Sequence, residues 1–203
     1  LLALLLAREG FAVLLHGMRT EAQRVLASEV LQRLEVPAWE RMQPLAAGQV
    51  AHVATEVLHP GLARLLAVRQ VLGLRTPGHS LVKLLAPCAG PAVLVGSYTH
   101  PEYSGLMRDV LIARQMTGLL SRGLEGEVVC DPRRQPRYDA VWQGQAYCVA
   151  EQQAGTLAAV PGLPQAIDAQ TTADYTRAVL AGQLPVPQAV AEQVAHITAL
   201  AQR

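Results

Sequence analysis

Guanidinium groups pair bidentately with phosphate oxygens, and this chain carries two sets of them placed to do so. Arg133, Arg134 and Arg137 fall within five positions, beginning on the proline-bounded loop Asp131-Pro132-Arg133-Arg134-Gln135-Pro136. Between Glu56 and Glu102 there is no acidic residue, while Arg64, Arg69, Arg75, Lys83, His59, His79 and His100 lie there. Arg75, Lys83, Arg133, Arg134 and Arg137 are therefore candidate phosphate-contacting residues, and a locally positive surface is expected. Such contacts give affinity for a DNA or RNA backbone irrespective of base sequence. The alternative is a solvated loop with no ligand. Aromatic residues make up only 4% of the chain, which argues against binding by base stacking.

A second group of residues sits on glycine-proline loops at strand ends, where α/β proteins build their sites. These are His16 and Gly17, closing an apolar run, then His59 before Pro60, and Arg69 on the helix beyond. Packing or capping accounts for the two histidines more readily than catalysis does, and Arg69 also fits a helix-surface cation. There is no Gly-x-Gly-x-x-Gly, Walker A, His-Glu-x-x-His or Gly-x-Ser-x-Gly pattern, which removes the commonest nucleotide, zinc and hydrolase chemistries. Cys88, Cys130 and Cys148 are odd in number and match no metal spacing, so they read as reduced thiols. No catalytic residue, cofactor or metal ligand is assigned.

The elements that must position these residues follow from periodicity. The run Gly10 to Gly17 has the apolar content of a buried parallel strand. Thr20 and Gln23 suit a capping box, followed by a helix with Val25, Leu26, Val30, Leu31 and Leu34 on one apolar face, of which Leu26, Val30 and Leu34 should be buried against the strand with Arg24 and Arg33 outside. Residues 50–58 and 61–72 read as a helical pair broken at His59-Pro60-Gly61. Strands are expected at 92–98, 117–121, 127–130, 139–143 and 145–150, with Gly144 turning a hairpin. Helices are expected from Pro101 to about 115, from a Thr172 cap to Gly182, and from Pro187 onward. Strands alternating with helices predict an α/β fold with a mostly parallel sheet flanked by helices.

The order of the loops is similar to that of anthranilate phosphoribosyltransferases. The resemblance is carried by Leu15-His16-Gly17, His59-Pro60, Val68-Arg69-x-x-Leu72-Gly73-x-Arg75-Thr76 and Leu84-Leu85-Ala86-Pro87-x-x-Gly90-Pro91. It continues through His100-Pro101-Glu102 and Arg122-Gly123-x-Glu125-Gly126. It implies the nucleoside phosphorylase/phosphoribosyltransferase fold. Residues 1–40 and 86–203 would form the α/β domain, and 41–85 would contribute to a small helical lobe and hinge. The remainder of that lobe would lie upstream of residue 1. The resemblance also makes Arg69 the counterpart of the family's anthranilate-carboxylate ligand.

The departures bear on function. Where the family's phosphate loop has asparagine, serines and glycine, this chain has Met18, Ala22, Gln23 and Leu26, and Leu15 replaces the preceding lysine. Val128 and Val129 stand where the family places an acidic pair on magnesium, and hydrocarbon cannot ligate a hard cation. The longer segment Gly73 to Leu84 and the loop after Glu127 resemble the YbiB-type branch. That resemblance implies homodimers binding nucleic acid without sequence preference. The alternative is a pentosyl-transferring enzyme with altered phosphate and metal chemistry. The apolar opening, interrupted at Arg8 and Glu9, is too short to span a bilayer, and the reading is a cytoplasmic protein with no membrane partner.

Overall fold

Mostly aliphatic residues at 13–17 and 50–54 pair as parallel strands in the computed structural model, which describes residues 1–21, 23–123 and 127–203. The helices and strands run α1 (Leu2–Arg8), β1 (Val13–Gly17), α2 (Ala27–Arg33), β2 (Ala38–Trp39), β3 (Val50–Ala54), α3 (Thr55–Leu58), α4 (Pro60–Leu72) and α5 (Gly78–Leu81). They continue with β4 (Val93–Tyr98), α6 (Glu102–Ala113), β5 (Thr117–Arg122), β6 (Tyr138–Trp142), β7 (Gln145–Ala150), α7 (Ala169–Leu180) and α8 (Gln188–Ala201). The chain divides into two compact units. One comprises residues 1–82 with 162–185, the other 83–161 with 186–203.

In the first unit the strand order is β1-β3-β2 and both pairings are parallel. Ala51 and Val53 of the central strand are fully buried, and Leu31 of α2 packs with Ala7 and Val50. The sequence expects a helix over 50–58, but only 55–58 is helical. Val50 and Val53 are β-branched, and partners on both sides of β3 outweigh the helix preference of Ala51 and Ala54.

Helix α2 also starts later than its sequence suggests. Thr20 and Gln23 form no capping box. Instead the Leu26 amide donates to Glu29 Oε2 at 2.7 Å, so the helix opens at Ala27. Of the expected apolar face, Leu31 is buried, Leu26, Val30 and Leu34 are half-buried, and Val25 is exposed. Ala22 lies outside the described residues.

In the second unit β4 and β5 are parallel, and β5, β6 and β7 form an antiparallel meander. Met107 and Leu111 of α6 pack with Tyr98, Leu120 and Val141. Gly118 permits that contact, since a Cβ there would lie 2.7 Å from Leu111 Cδ1 and 3.0 Å from the Leu94 carbonyl oxygen. The β6–β7 hairpin turns at Gln143 (φ 49°) and Gly144 (φ 70°), the left-handed pair of a type I′ turn.

Two further expectations are corrected. Residues 127–130 are not a strand, because the Val128 carbonyl and Cys130 amide are bonded by the Gln193 side chain rather than by a neighbouring strand. Helix α7 is capped by Asp168, whose Oδ1 accepts from the Thr171 amide at 2.7 Å, while the Thr172 hydroxyl donates to the Asp168 carbonyl. Three of the five strand pairings are parallel, and the α/β class stands.

Candidate anion-binding site

His59 starts α4, the helix that carries Arg69 of the candidate site at its far end. Its Nδ1 accepts the Leu62 amide at 3.0 Å, and Pro60, which lacks an N–H, occupies the first helical position. Arg69 follows on the last turn of that helix. Gly73 then takes a left-handed conformation (φ 69°) and its amide closes on the Arg69 carbonyl at 2.8 Å. That reversal places Arg75 near Arg69.

Both arginines meet Glu21, on the loop after β1. Arg69 Nη2 and Arg75 Nη2 lie 2.7 and 3.2 Å from Glu21 Oε1, and Arg24 Nε lies 3.1 Å from Oε2. The Arg75 hydrogen bond, with Arg24 and Arg69 beside it, holds the Glu21 carboxyl below the usual carboxylate range. Arg19 ties the loop together, donating to the Glu21 and Arg24 carbonyls and pairing with Glu29 at 2.8 Å. Three guanidinium groups on one carboxylate leave an excess of positive charge.

His79, on α5, lies within electrostatic reach of Arg69, Arg75 and Glu21. Burial, reinforced by the two arginines, lowers its pKa from the ordinary imidazole value and favours the neutral ring. His16 is half-buried on β1. On the adjacent β3, burial first and His16 second lower the His52 pKa.

The remaining sequence-selected cations lie in the second unit. Lys83 Nζ donates to the Ser97 carbonyl at 2.8 Å. Arg133 grips Asp131 with two bonds, Nε to Oδ1 at 3.0 Å and Nη2 to Oδ2 at 2.9 Å. Arg137 contacts Asp139 at 2.9 Å and Glu151 at 3.2 Å, and Arg134 Nε donates to the Gln153 carbonyl at 3.3 Å. These arginines share their surroundings with three carboxylates.

The structure thus brings the sequence-selected Arg69 and Arg75 together with Glu21 and Arg24, which sequence reasoning did not select. Glu21 lies outside the acid-free stretch, and no local pattern announces its partners. Val128 and Val129 are partly exposed and offer no oxygen ligand, so they do not fit a divalent cation. Glu125 and Gly126 lie outside the described residues. Among the described residues no group of three or more His, Cys, Asp or Glu side chains could hold a metal, and no helix is long and apolar enough to cross a membrane. The three cysteines are free, with Cys130 buried and Cys88 and Cys148 exposed.

The parallel-rich sheets flanked by helices make a phosphoribosyltransferase-like α/β fold. The chain is 32% identical over 200 residues to the uncharacterized protein YbiB of Escherichia coli strain K12, a match covering 96% of this chain and 62% of that protein. It is 30% identical over 130 residues to anthranilate phosphoribosyltransferase of Thermus thermophilus, covering 61% of this chain and 38% of the enzyme. The chain therefore spans less than two thirds of either relative's length. The likeness to the enzyme makes the chain similar to anthranilate phosphoribosyltransferases over part of their length. No family model matches the chain.

Proposed function

We propose that this chain belongs to a cytoplasmic, homodimeric phosphoribosyltransferase-like protein that has lost phosphoribosyl transfer and binds nucleic acid through its phosphates, without sequence preference. The observation that carries the reading is the convergence of Arg24, Arg69 and Arg75 on the single carboxylate of Glu21. An excess of guanidinium over carboxylate suits a polyanion, and Arg75 is 45% exposed at its side chain. Arg133, Arg134 and Arg137 add contacts in the second unit, and Lys83 adds charge. The ion pairs of Arg133 and Arg137 do not prevent this, because the two guanidinium groups remain 47% and 46% exposed and a phosphate can share them with the carboxylates.

Electrophoretic mobility shift of the full-length protein with unrelated DNA and RNA sequences tests the reading. Similar affinity for all sequences at low salt, falling steeply as salt rises, is the expected result. No shift at low salt would overturn it.

A second reading, a pentosyltransferase with altered phosphate and metal chemistry, is favoured by one residue. Arg69 stands at the position that the resemblance gives to the carboxylate ligand, on a fold shared with the enzyme from Thermus thermophilus. Turnover of a pentosyl diphosphate by protein that fails to bind nucleic acid would decide for it.

A further inference from the structure

The cluster around Glu21 has more hydrogen-bonding capacity than Glu21 uses. Arg69 Nη1 and His79 Nε2 are both buried with no hydrogen-bond partner among the described residues. Buried polar atoms are nearly always paired, so two orphans in one neighbourhood call for a ligand with more acceptor oxygens than a carboxylate supplies. A phosphate has them. Arg69 and Arg75 already crowd a single carboxylate oxygen, Oε1. Glu21 sits on a loop whose main chain is held by Arg19, so its side chain can rotate away while the loop keeps its place.

We propose that Glu21 is an internal anion occupying this arginine cluster, and that a phosphate group of an incoming nucleic acid binds there by displacing it. The inference rests on the nucleic-acid reading above and adds a restraint to it. The carboxylate lowers affinity for weakly charged ligands and keeps the arginines from gathering stray anions. Phosphates of a polyanion compete because several act together. Bidentate guanidinium geometry serves either anion, so the exchange needs no rearrangement of Arg69 or Arg75.

Full-length protein carrying Glu21→Gln tests this by fluorescence anisotropy with a labelled random-sequence duplex. Binding about fivefold or more tighter than wild type is expected. Arg69→Ala in the same background should remove the gain, and Glu9→Gln, an exposed acid with the same change in net charge, should not reproduce it. Wild-type binding with no gain from Glu21→Gln, or an equal gain from Glu9→Gln, overturns the inference and leaves the nucleic-acid reading intact. If neither protein binds duplex, that reading falls, and inorganic pyrophosphate becomes the probe. A thermal upshift in Glu21→Gln that exceeds the wild-type shift then sustains the displacement, and equal or absent shifts overturn it. Glu21→Ser replaces the glutamine variant if the latter does not fold.

Discussion

Gln193 accepts a hydrogen bond from the Cys130 amide at 3.0 Å, with its side chain wholly buried. Its Nε2 donates in turn to the Val128 carbonyl at 2.7 Å, so one side chain on α8 satisfies two main-chain groups of a segment that has no strand partner. Gln193→Leu keeps the volume and orphans both groups. The buried Cys130 amide, left unpaired, costs about 1–3 kcal/mol and the part-buried Val128 carbonyl less, and the loss should appear as a lower urea midpoint. A midpoint equal to wild type would show that these bonds contribute nothing to stability.

The burial of α2 predicts an order of mutational cost. Leu31→Ala should destabilise by about 2–5 kcal/mol, because Leu31 is buried against Ala7 and Val50. Val30→Ala, at a half-buried position, should cost clearly less, and exposed Arg33→Ala little. Chemical unfolding that ranked Val30 above Leu31 would contradict the placement of this helix.

Purified full-length protein, given anthranilate, phosphoribosyl pyrophosphate and magnesium, should show no turnover. Val128 and Val129 provide no metal ligand, and losing preorganised charge stabilisation at one such position costs about a hundredfold or more in rate. Detectable phosphoribosyl anthranilate would refute this.

Changing Arg133 and Arg134 together to alanine should weaken binding to all nucleic-acid sequences alike. Each lost phosphate contact reduces the log-log salt slope by about 0.9 for duplex DNA, so the double variant should lose nearly two units. Arg177→Ala, on α7 and paired with Asp174, should leave the slope unchanged. An unaltered slope in the double variant would place the 133–134 loop outside the contact surface.

Acid should loosen the Glu21 cluster. Arg75 first, then Arg24 and Arg69, depress the Glu21 carboxyl pKa in the folded protein. A depressed carboxyl contributes stability that is fully present above the unfolded value of about 4.3 and is lost as pH falls through the lower folded value. Below that pH, wild type and Glu21→Gln should converge in melting temperature, whereas near neutrality wild type should melt higher. A constant difference across the acid range would mean that the three contacts do not depend on the carboxylate charge.

Much of the fold was legible where local chemistry and tertiary pairing agree. The hairpin at Gln143-Gly144 has the turn residues its register needs, and Pro101-Glu102 opens α6 as expected. Val50 to Ala54 was misread because alanines and valines suit either state in isolation, and only β1 and β2 on either side decide it. The candidate site was half legible for a related reason. Counting charge along the chain reveals a stretch without acids from Val57 to Pro101, yet in space Glu21 brings an acid to Arg69 and Arg75. No spacing rule connects a loop residue to a helix so far along the sequence.

Each unit closes only with chain from beyond the other's main stretch. Residues 162–185, carrying α7, return to the first unit after the sheet of the second is complete, and residues 186–203, carrying α8, then return to the second. During synthesis the first core waits for residues 162–185 and the second for residues 186–203, so assembly should be late and should depend on distant contacts. A stop codon near position 161 would therefore strip a helix from both cores, leaving no intact unit to be expressed as an independent fragment.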